Sequence, residues 1–528
     1  MRYIGFKNFR RFEELKPLPL TPITIFVGGN NSGKSTVVKG LLSILGFLND
    51  DSTFEYSGRE DDSEEYDNRL RRIRLSHDQR FYFNKDYYAH IGTSKRALRC
   101  GADPKEITFQ FGIGSMHYEI VVSIDDDSEE STSGRVVGIN ILSHTWKYEI
   151  RYDLVQWTAE IFFHPQDPEK YKVGEGGTVN EFKTSSLARQ YDYFRSFSES
   201  ISFSVNLPDI HRDSGLSLIE ILNSATEVVI TASLKNQKGK NGDSVQSEDA
   251  NYLFSGYESI RPTELSKELK EFLLNSPFWD SEYHRGFGFR GFRKRVRVEY
   301  IYAHAVTQTV IYSAKDTNDY LVKTVHDFAN SRITHSSKGE KGKLYQFIIK
   351  WMGEFGIGKD YSVRSIGGEA HIVKIKNMNG DLVNMADMGM GSIQLMILLF
   401  RMGAILDQAN SLITTIIILE EPEQNLHPML QSKLADLLLD IQGNFGLRFI
   451  VETHSEYLVR KTQVIVGKRF NTPELLFKNP FRVFYFPSEG QPYDMEYTPS
   501  GKFVQPFGEG FFDEAANLHM TVLKNSRK

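Results

Sequence analysis

The chain has 528 residues, 40% hydrophobic and 25% charged, which is enough for two or three domains and a large buried core. A formal net charge of -5 excludes a globally basic nucleic-acid binder, so any DNA contact has to come from a local patch. The single cysteine, Cys100, excludes an intrachain disulfide and a zinc site built on several thiolates, which fits a reducing cytoplasm.

The N-terminal stretch MRYIGFKNFRRFEELK is interrupted by charges and lacks a signal-peptide core; the best apolar run, Leu412 to Leu419, is too short to span a membrane. A cytoplasmic protein with no membrane partner is expected. Ile23 to Val27 is β-branched and aromatic and reads as a short buried strand, and Lys34 to Leu48 reads as a helix. Between them Gly28, Gly29, Asn30, Asn31, Ser32, Gly33, Lys34 and Ser35 satisfy G-x-x-x-x-G-K-[ST] in the strand-loop-helix context which that pattern requires. Glycines let the backbone wrap a phosphate, with N–H groups and the helix N-terminus, including Thr36, directed at the anion. Lys34 is expected to reach the β/γ phosphates of ATP and Ser35 to ligate Mg²⁺.

Strand-like segments follow, KEITFQFGI and HYEIVVSI, interrupted by acidic runs at 58–67 and 125–134 that read as solvated loops. Residues 1–165 are therefore expected to form an N-terminal ATPase lobe. From 166 to 296 helical patterns, LSLIEILNSATEVVITASL and TELSKELKEFLLNSPFW, flank a polar stretch, which predicts an inserted, mostly helical and flexible region. Within 284–297, Arg285, Arg290, Arg293, Lys294, Arg295 and Arg297 alternate with Phe287, Phe289 and Phe292. This strip reads either as a nucleic-acid contact, cations on phosphates and rings on bases, or as an exposed basic face where a loop enters a strand.

Residues 297–528 read as a C-terminal lobe. Thr414 to Leu419 predicts a buried strand ending in Glu420 and Glu421, and MLQSKLADLLLDIQ puts Leu430, Leu434, Leu437, Leu438 and Ile441 on one helical face before a second strand, LRFIVE. That is a β-α-β crossover, so a parallel sheet is expected. Phosphate-loop hydrolysis needs a carboxylate near Mg²⁺ and a group that orients water, and carboxyl ends of strands in open α/β sheets are where ligands bind. Glu420 is assigned to the metal, directly or through water, and Glu421 to the water.

Lys34 and Glu420 stand at opposite ends of the chain. That spacing, with GGNNSGKST, LEEPEQNLHP and IVETHSEYL, resembles the ABC-like ATPases of the SMC, Rad50 and RecF type, and more closely the compact bacterial "AAA family" ATPases found with overcoming-lysogenization-defect nucleases and antiphage systems. The resemblance covers the first 50 residues and roughly 380 to 520. It implies an α/β P-loop NTPase, an ABC/SMC-like split ATPase head, with His454 as a switch histidine at the γ-phosphate. It further implies a signature at Gly389, Gly391, Ser392 and Gln394 that closes over the nucleotide of a second copy, hence a homodimer or higher homo-oligomer. The short stretch after His454 resembles nuclease-less members, which implies a separately encoded effector, nuclease or toxin, and an antiphage setting. Two other readings stay open: an ATP-bound scaffold with slow turnover that sequesters a toxin or nuclease, and a RecF-type DNA-repair ATPase.

Overall fold

The computed structural model describes residues 1–49, 54–56, 71–73, 80–83, 91–113, 116–124, 130–143, 148–156, 158–163, 201–206, 296–302, 310–313, 315, 319–331, 342–407, 414–508 and 511–525. The chain divides into two compact units, Met1–Pro19 with Lys39–Lys294, and Leu20–Val38 with Arg295–Lys528.

The first unit is built on a nine-stranded antiparallel sheet. Its path runs Ile201–Asn206, Thr158–Phe163, Tyr148–Asp153, Ser133–Ser143, Met116–Ser123, Glu106–Ile113, Tyr3–Phe9, Phe12–Pro19, and Arg80–Tyr82 pairs with Ser133–Ser143. The alternation in KEITFQFGI and HYEIVVSI emerges as the hairpin Glu106–Ile113 and Met116–Ser123. Phe6, Phe9 and Phe109 are fully buried, with ring centroids 5.9 Å (Phe6–Phe109) and 5.3 Å (Phe9–Phe109) apart in edge-on pairs. The expected helices of 166–296 lie outside the described residues, as does the acidic run 58–67. Within that segment the described piece is the strand Ile201–Asn206.

The second unit carries a six-stranded sheet in the order Val296–Ile301, Thr414–Glu420, Arg448–Thr453, Ile23–Gly28, Phe481–Phe486, Tyr493–Asp494. The first five strands are parallel and the last is antiparallel. The strand that enters the phosphate loop is thus hydrogen-bonded on both sides to strands from the far end of the chain. For that reason segment 20–38 groups with 295–528, whereas a contiguous reading puts it in a lobe ending at 165.

The crossover takes the expected form. Thr414–Glu420 leads into the helix Pro428–Phe445, which starts with Pro428 in its first turn behind the His427 cap and stops at Gly446, whose φ of 69° suits a residue without Cβ. Leu434, Leu437, Leu438 and Ile441 are buried and Leu430 is partly buried against the same core. The chain returns as Arg448–Thr453 and continues into the helix Glu456–Arg469, capped by Ser455 Oγ, which accepts from Leu458 N at 3.1 Å. Among the described residues one helix, Met390–Asp407, is long and apolar enough to cross a membrane, and most of its side chains lie in this unit's hydrophobic core. A smaller antiparallel sheet joins Tyr312–Ser313, Ala370–Lys376, Asp360–Ile366 and Leu382–Asn384.

Candidate functional site

Parallel strands leave their carboxyl ends at one edge of a sheet, and here three of them end in the residues singled out by the sequence: Ile23–Gly28 in the phosphate loop, Thr414–Glu420 in the paired glutamates, Arg448–Thr453 next to His454. The loop is shaped by its glycines. A Cβ on Gly28 would sit 2.3 Å from the carbonyl oxygen of Phe486, so the neighbouring strand's backbone excludes any side chain there. Gly33 has φ 104°, which L-residues rarely adopt, and Asn31 has φ 57°, which asparagine tolerates.

The helix Lys34–Asn49 begins directly after Gly33, with Thr36 N and Val37 N bonded to the Gly33 carbonyl. Lys34 is 3% exposed and its Nζ donates to Gly28 O at 3.0 Å and Gly29 O at 2.9 Å. Burial lowers its pKa, opposed by Glu452, Glu421 and Glu423. Ser32 is 3% exposed, and its hydroxyl has no hydrogen-bond partner among the described residues. An orphaned hydroxyl inside a glycine loop, beside a lysine and a helix N-terminus, is a donor set suited to polyphosphate.

The acidic side is equally specific. Ser35 Oγ donates to Glu452 Oε1 at 2.6 Å, and Glu452 is the register partner of Glu420 on the adjacent strand. Burial pushes the Glu452 carboxyl up to about 7, with the Ser35 hydroxyl and Lys34 pulling it back and Glu420 and Glu421 adding to the rise. Glu420 Oε2 accepts from the Tyr300 hydroxyl at 2.5 Å. Tyr300 is itself raised well above the ordinary tyrosine range by burial and by that bond.

Glu421 stands on the turn that ends the strand, with φ 44° and its N–H donated to Glu452 O at 2.7 Å. Its Oε2 accepts from Gln424 Nε2 at 2.5 Å, and its Oε1 lies 3.6 Å from His454 Nε2. Burial and Lys34 lower the His454 pKa, against the pull of Glu421. The His454 backbone N–H donates to Glu423 Oε1 at 2.7 Å, so His454 is tied to the turn after Glu420 through Glu423, itself 8% exposed.

The sequence model of the AAA ATPase domain matches residues 1–459, a span that holds the phosphate loop, the Glu-Glu strand and His454. The chain belongs to the AAA ATPase domain family. Against curated proteins no match is found. Among solved structures, an Smc head bound to the C-terminal winged-helix domain of ScpA aligns at TM-score 0.34 with 9% identity, over 94% of this chain and 97% of that one. A Pyrococcus furiosus Smc head with an extended coiled coil, bound to the C-terminal domain of ScpA, gives 0.31 and 12% over 100% and 99%, and a Thermotoga maritima SMC head gives 0.28 and 10% over 87% and 92%. Superpositions at these scores carry no weight for function; the fold of this ATPase domain is read from its strand order and its phosphate loop.

In this AAA ATPase domain the segment Gly389 to Gln394 meets the turn that follows Glu420 and Glu421 in the same chain. Gly389 O accepts from Ser392 N and Ile393 N to start the helix Met390–Asp407, Gln394 Nε2 donates to Pro422 O at 3.3 Å, and Asn425 Nδ2 donates to Gln394 Oε1 at 3.4 Å. Gly389 is exposed, and a Cβ there would meet nothing within 4 Å, whereas a Cβ on Gly391 would lie 2.6 Å from Asn425 O.

For Mg²⁺, Ser35 and Glu420 stand at the same sheet edge, and each is engaged by a partner that spacing in the sequence does not point to, Glu452 and Tyr300. Glu452 carries a sequence signal of its own: it is the last-but-one residue of a strand running parallel to the Glu-Glu strand. Among the described residues no three His, Cys, Asp or Glu side chains form a ready-made metal cage. That is compatible with Mg²⁺, which keeps several waters and takes one or two carboxylates beside substrate phosphates. Residues 284–295 of the basic strip lie outside the described residues; of Arg297 the backbone is described, in the edge strand Val296–Ile301.

Proposed function

We propose that the chain binds ATP with Mg²⁺ and hydrolyses it, and that the nucleotide state sets its association with a second copy and thereby the state of a separately encoded effector. The observation that supports this most directly is the convergence of Lys34, Ser35, Glu420, Glu421 and His454 at the carboxyl ends of three adjacent parallel strands. In this reading Gly28 to Gly33 and the amides of Lys34 to Thr36 bind the phosphates, and Lys34 exchanges its two carbonyl partners for phosphate oxygens. Ser35 and Glu420 hold Mg²⁺, which when bound supplies positive charge to the β/γ oxygens. Glu421 orients and deprotonates the attacking water, and neutral His454 donates to the γ-phosphate. Gly389, Gly391, Ser392 and Gln394 reach the nucleotide of the second copy. The antiphage setting and the nuclease or toxin effector rest on the family resemblance, and a role for DNA rests on the basic strip at 284–297.

One observation favours a slow-turnover scaffold as the second reading: Glu421 Oε2 accepts from Gln424 and Lys34 donates to carbonyls of its own loop. Steady-state turnover with and without duplex DNA separates the readings. Turnover that rises with a trigger supports the switch. Tight ATP binding with turnover that no trigger changes supports the scaffold, and strong stimulation by DNA alone favours the repair-type reading.

A further inference from the structure

The proposed roles leave the buried carboxylate of Glu452 unassigned. Glu452 is 5% exposed, and the hydrogen bond it accepts comes from a neutral hydroxyl, Ser35 Oγ, at 2.6 Å. The phosphate-loop lysine does not compensate it by a hydrogen bond; Lys34 Nζ donates to the carbonyls of Gly28 and Gly29. On the adjacent strand its register partner is another carboxylate, Glu420, whose bond likewise comes from a neutral hydroxyl, that of Tyr300. Register partners on neighbouring strands share a face of the sheet, with backbones about 4.8 Å apart. Two acidic side chains at that spacing, one buried and both held by neutral donors, form an arrangement that a cation would complete. The Ser35 hydroxyl fixes where that cation would be, because Ser35 occupies the metal-ligand position of the phosphate-loop motif.

We propose that Glu452 is a carboxylate of the Mg²⁺ site, facing the ion directly or through a bound water together with Ser35 and Glu420. Ser35 Oγ donates to Glu452 Oε1, so the two oxygens already adjoin, and an ion bound there would take lone pairs from both. Tyr300 is the positioning residue for the other carboxylate. The assignment rests on the Mg-ATP reading above. It differs from a purely structural role for Glu452, in which the carboxylate only orients Ser35, by requiring charge and not merely an acceptor oxygen.

The test uses the full chain, Mn²⁺ as the probe metal and a non-hydrolysable ATP analogue, with free Mn²⁺ followed by electron paramagnetic resonance. Analogue affinity is measured separately in EDTA. Glu452→Gln keeps an acceptor for Ser35 and loses the charge; it should raise the Mn²⁺ half-saturation concentration by roughly 10-fold or more, the scale seen when a metal's supporting carboxylate is lost. Its analogue affinity in EDTA should be unchanged or tighter, since a negative charge near the phosphates is gone. Glu452→Asp, which keeps the charge and retracts it by one methylene, should weaken Mn²⁺ binding less than Glu452→Gln. Wild-type Mn²⁺ affinity in Glu452→Gln, or a greater loss in Glu452→Asp than in Glu452→Gln, overturns the assignment and leaves Glu452 as an orienting group. Should Glu452→Gln fail to fold, Glu452→Asp decides: a Mn²⁺ half-saturation raised by less than 10-fold supports the assignment and a greater rise overturns it. A wild-type chain that binds the analogue under neither condition overturns the nucleotide reading itself, a result distinct from the loss of metal dependence alone.

Discussion

Replacing Glu421 by glutamine separates chemistry from architecture. The side chain is about one-third exposed, at 32%, and makes one close hydrogen bond, accepted from Gln424 at 2.5 Å; the 3.6 Å approach of His454 is too long to count as another. Glutamine retains an acceptor oxygen for Gln424, so folding stability should change by no more than about 1 kcal/mol. With Glu421 as the proposed base, losing its carboxylate should slow the chemical step by about 10²–10⁴-fold, equivalent to about 2.7–5.4 kcal/mol of barrier. The variant should therefore accumulate with ATP bound, and, if the signature closes over a neighbour's nucleotide, it should also accumulate as the associated form. The interface probe has to be chosen from the structure. Any side chain at Gly391 meets Asn425 O, 2.6 Å from its Cβ, and would distort the chain's own turn at Glu421 to Leu426, whereas Gly389 opens to free space. Gly389→Arg in the Glu421→Gln background should abolish ATP-dependent association while leaving ATP binding intact. Single-turnover hydrolysis and multi-angle light scattering with Mg-ATP read both effects. Wild-type single-turnover rates in Glu421→Gln would refute the base assignment. Glu423 would be a poor substitute, since it is buried and already bonded to the His454 amide. Association insensitive to ATP and to Gly389→Arg would refute the composite site.

Lys34→Ala removes an ammonium that can make charge-assisted bonds worth about 1.5–3 kcal/mol each, so ATP affinity by calorimetry should fall roughly 10–100-fold or more; unchanged affinity would remove the phosphate-loop reading. Charge reversal at Arg290, Arg293 and Arg295 should weaken DNA retention and flatten its salt dependence in filter-binding assays, and a folded variant with the wild-type salt slope would give the strip another role. Arg401, buried on the helix Met390–Asp407, is bonded to Glu299 and Asp327, with side chains 6%, 10% and 26% exposed. Arg401→Met strands a buried carboxylate and should cost about 3–5 kcal/mol in denaturant unfolding, part of which Glu299→Gln in the same chain should restore. His371 is 2% exposed, its Nε2 3.1 Å from His326 Nδ1, and burial first, then His326, lowers its pKa. A base depressed in the folded state contributes stability that is present above its unfolded pKa of 6.5 and is lost as pH falls toward the folded value. Unfolding free energy should thus decline below about pH 6.5, and His371→Gln should reduce that slope.

What the sequence makes legible here is what is contiguous. The phosphate loop, the strand running into Glu420 and Glu421, and the leucine face of Pro428–Phe445 are local strings whose geometry follows from spacing. The partners of those residues are not local. Tyr300 meets Glu420 across 120 positions and Ser35 meets Glu452 across 417, so both contacts depend on strand order. The hairpin Tyr3–Phe9 and Phe12–Pro19 is masked in the sequence by its outward charges, although Phe6, Phe9 and Leu15 are fully buried. The grouping of segment 20–38 with the C-terminal half has the same origin: no window of sequence shows that Ile23 pairs with Phe449 and Phe481.

That pairing has a consequence for synthesis. Ile23 leaves the ribosome 426 residues before Phe449, and at about 5–20 residues per second the interval is roughly 20–80 s. Throughout it the phosphate-loop strand has two unsatisfied edges and no nucleotide site to belong to. The nascent chain must therefore either shelter this apolar hexamer or delay its collapse until the last fifth of translation. Any product that terminates before the strand Phe481–Phe486 leaves the phosphate-loop strand with at least one edge unpaired.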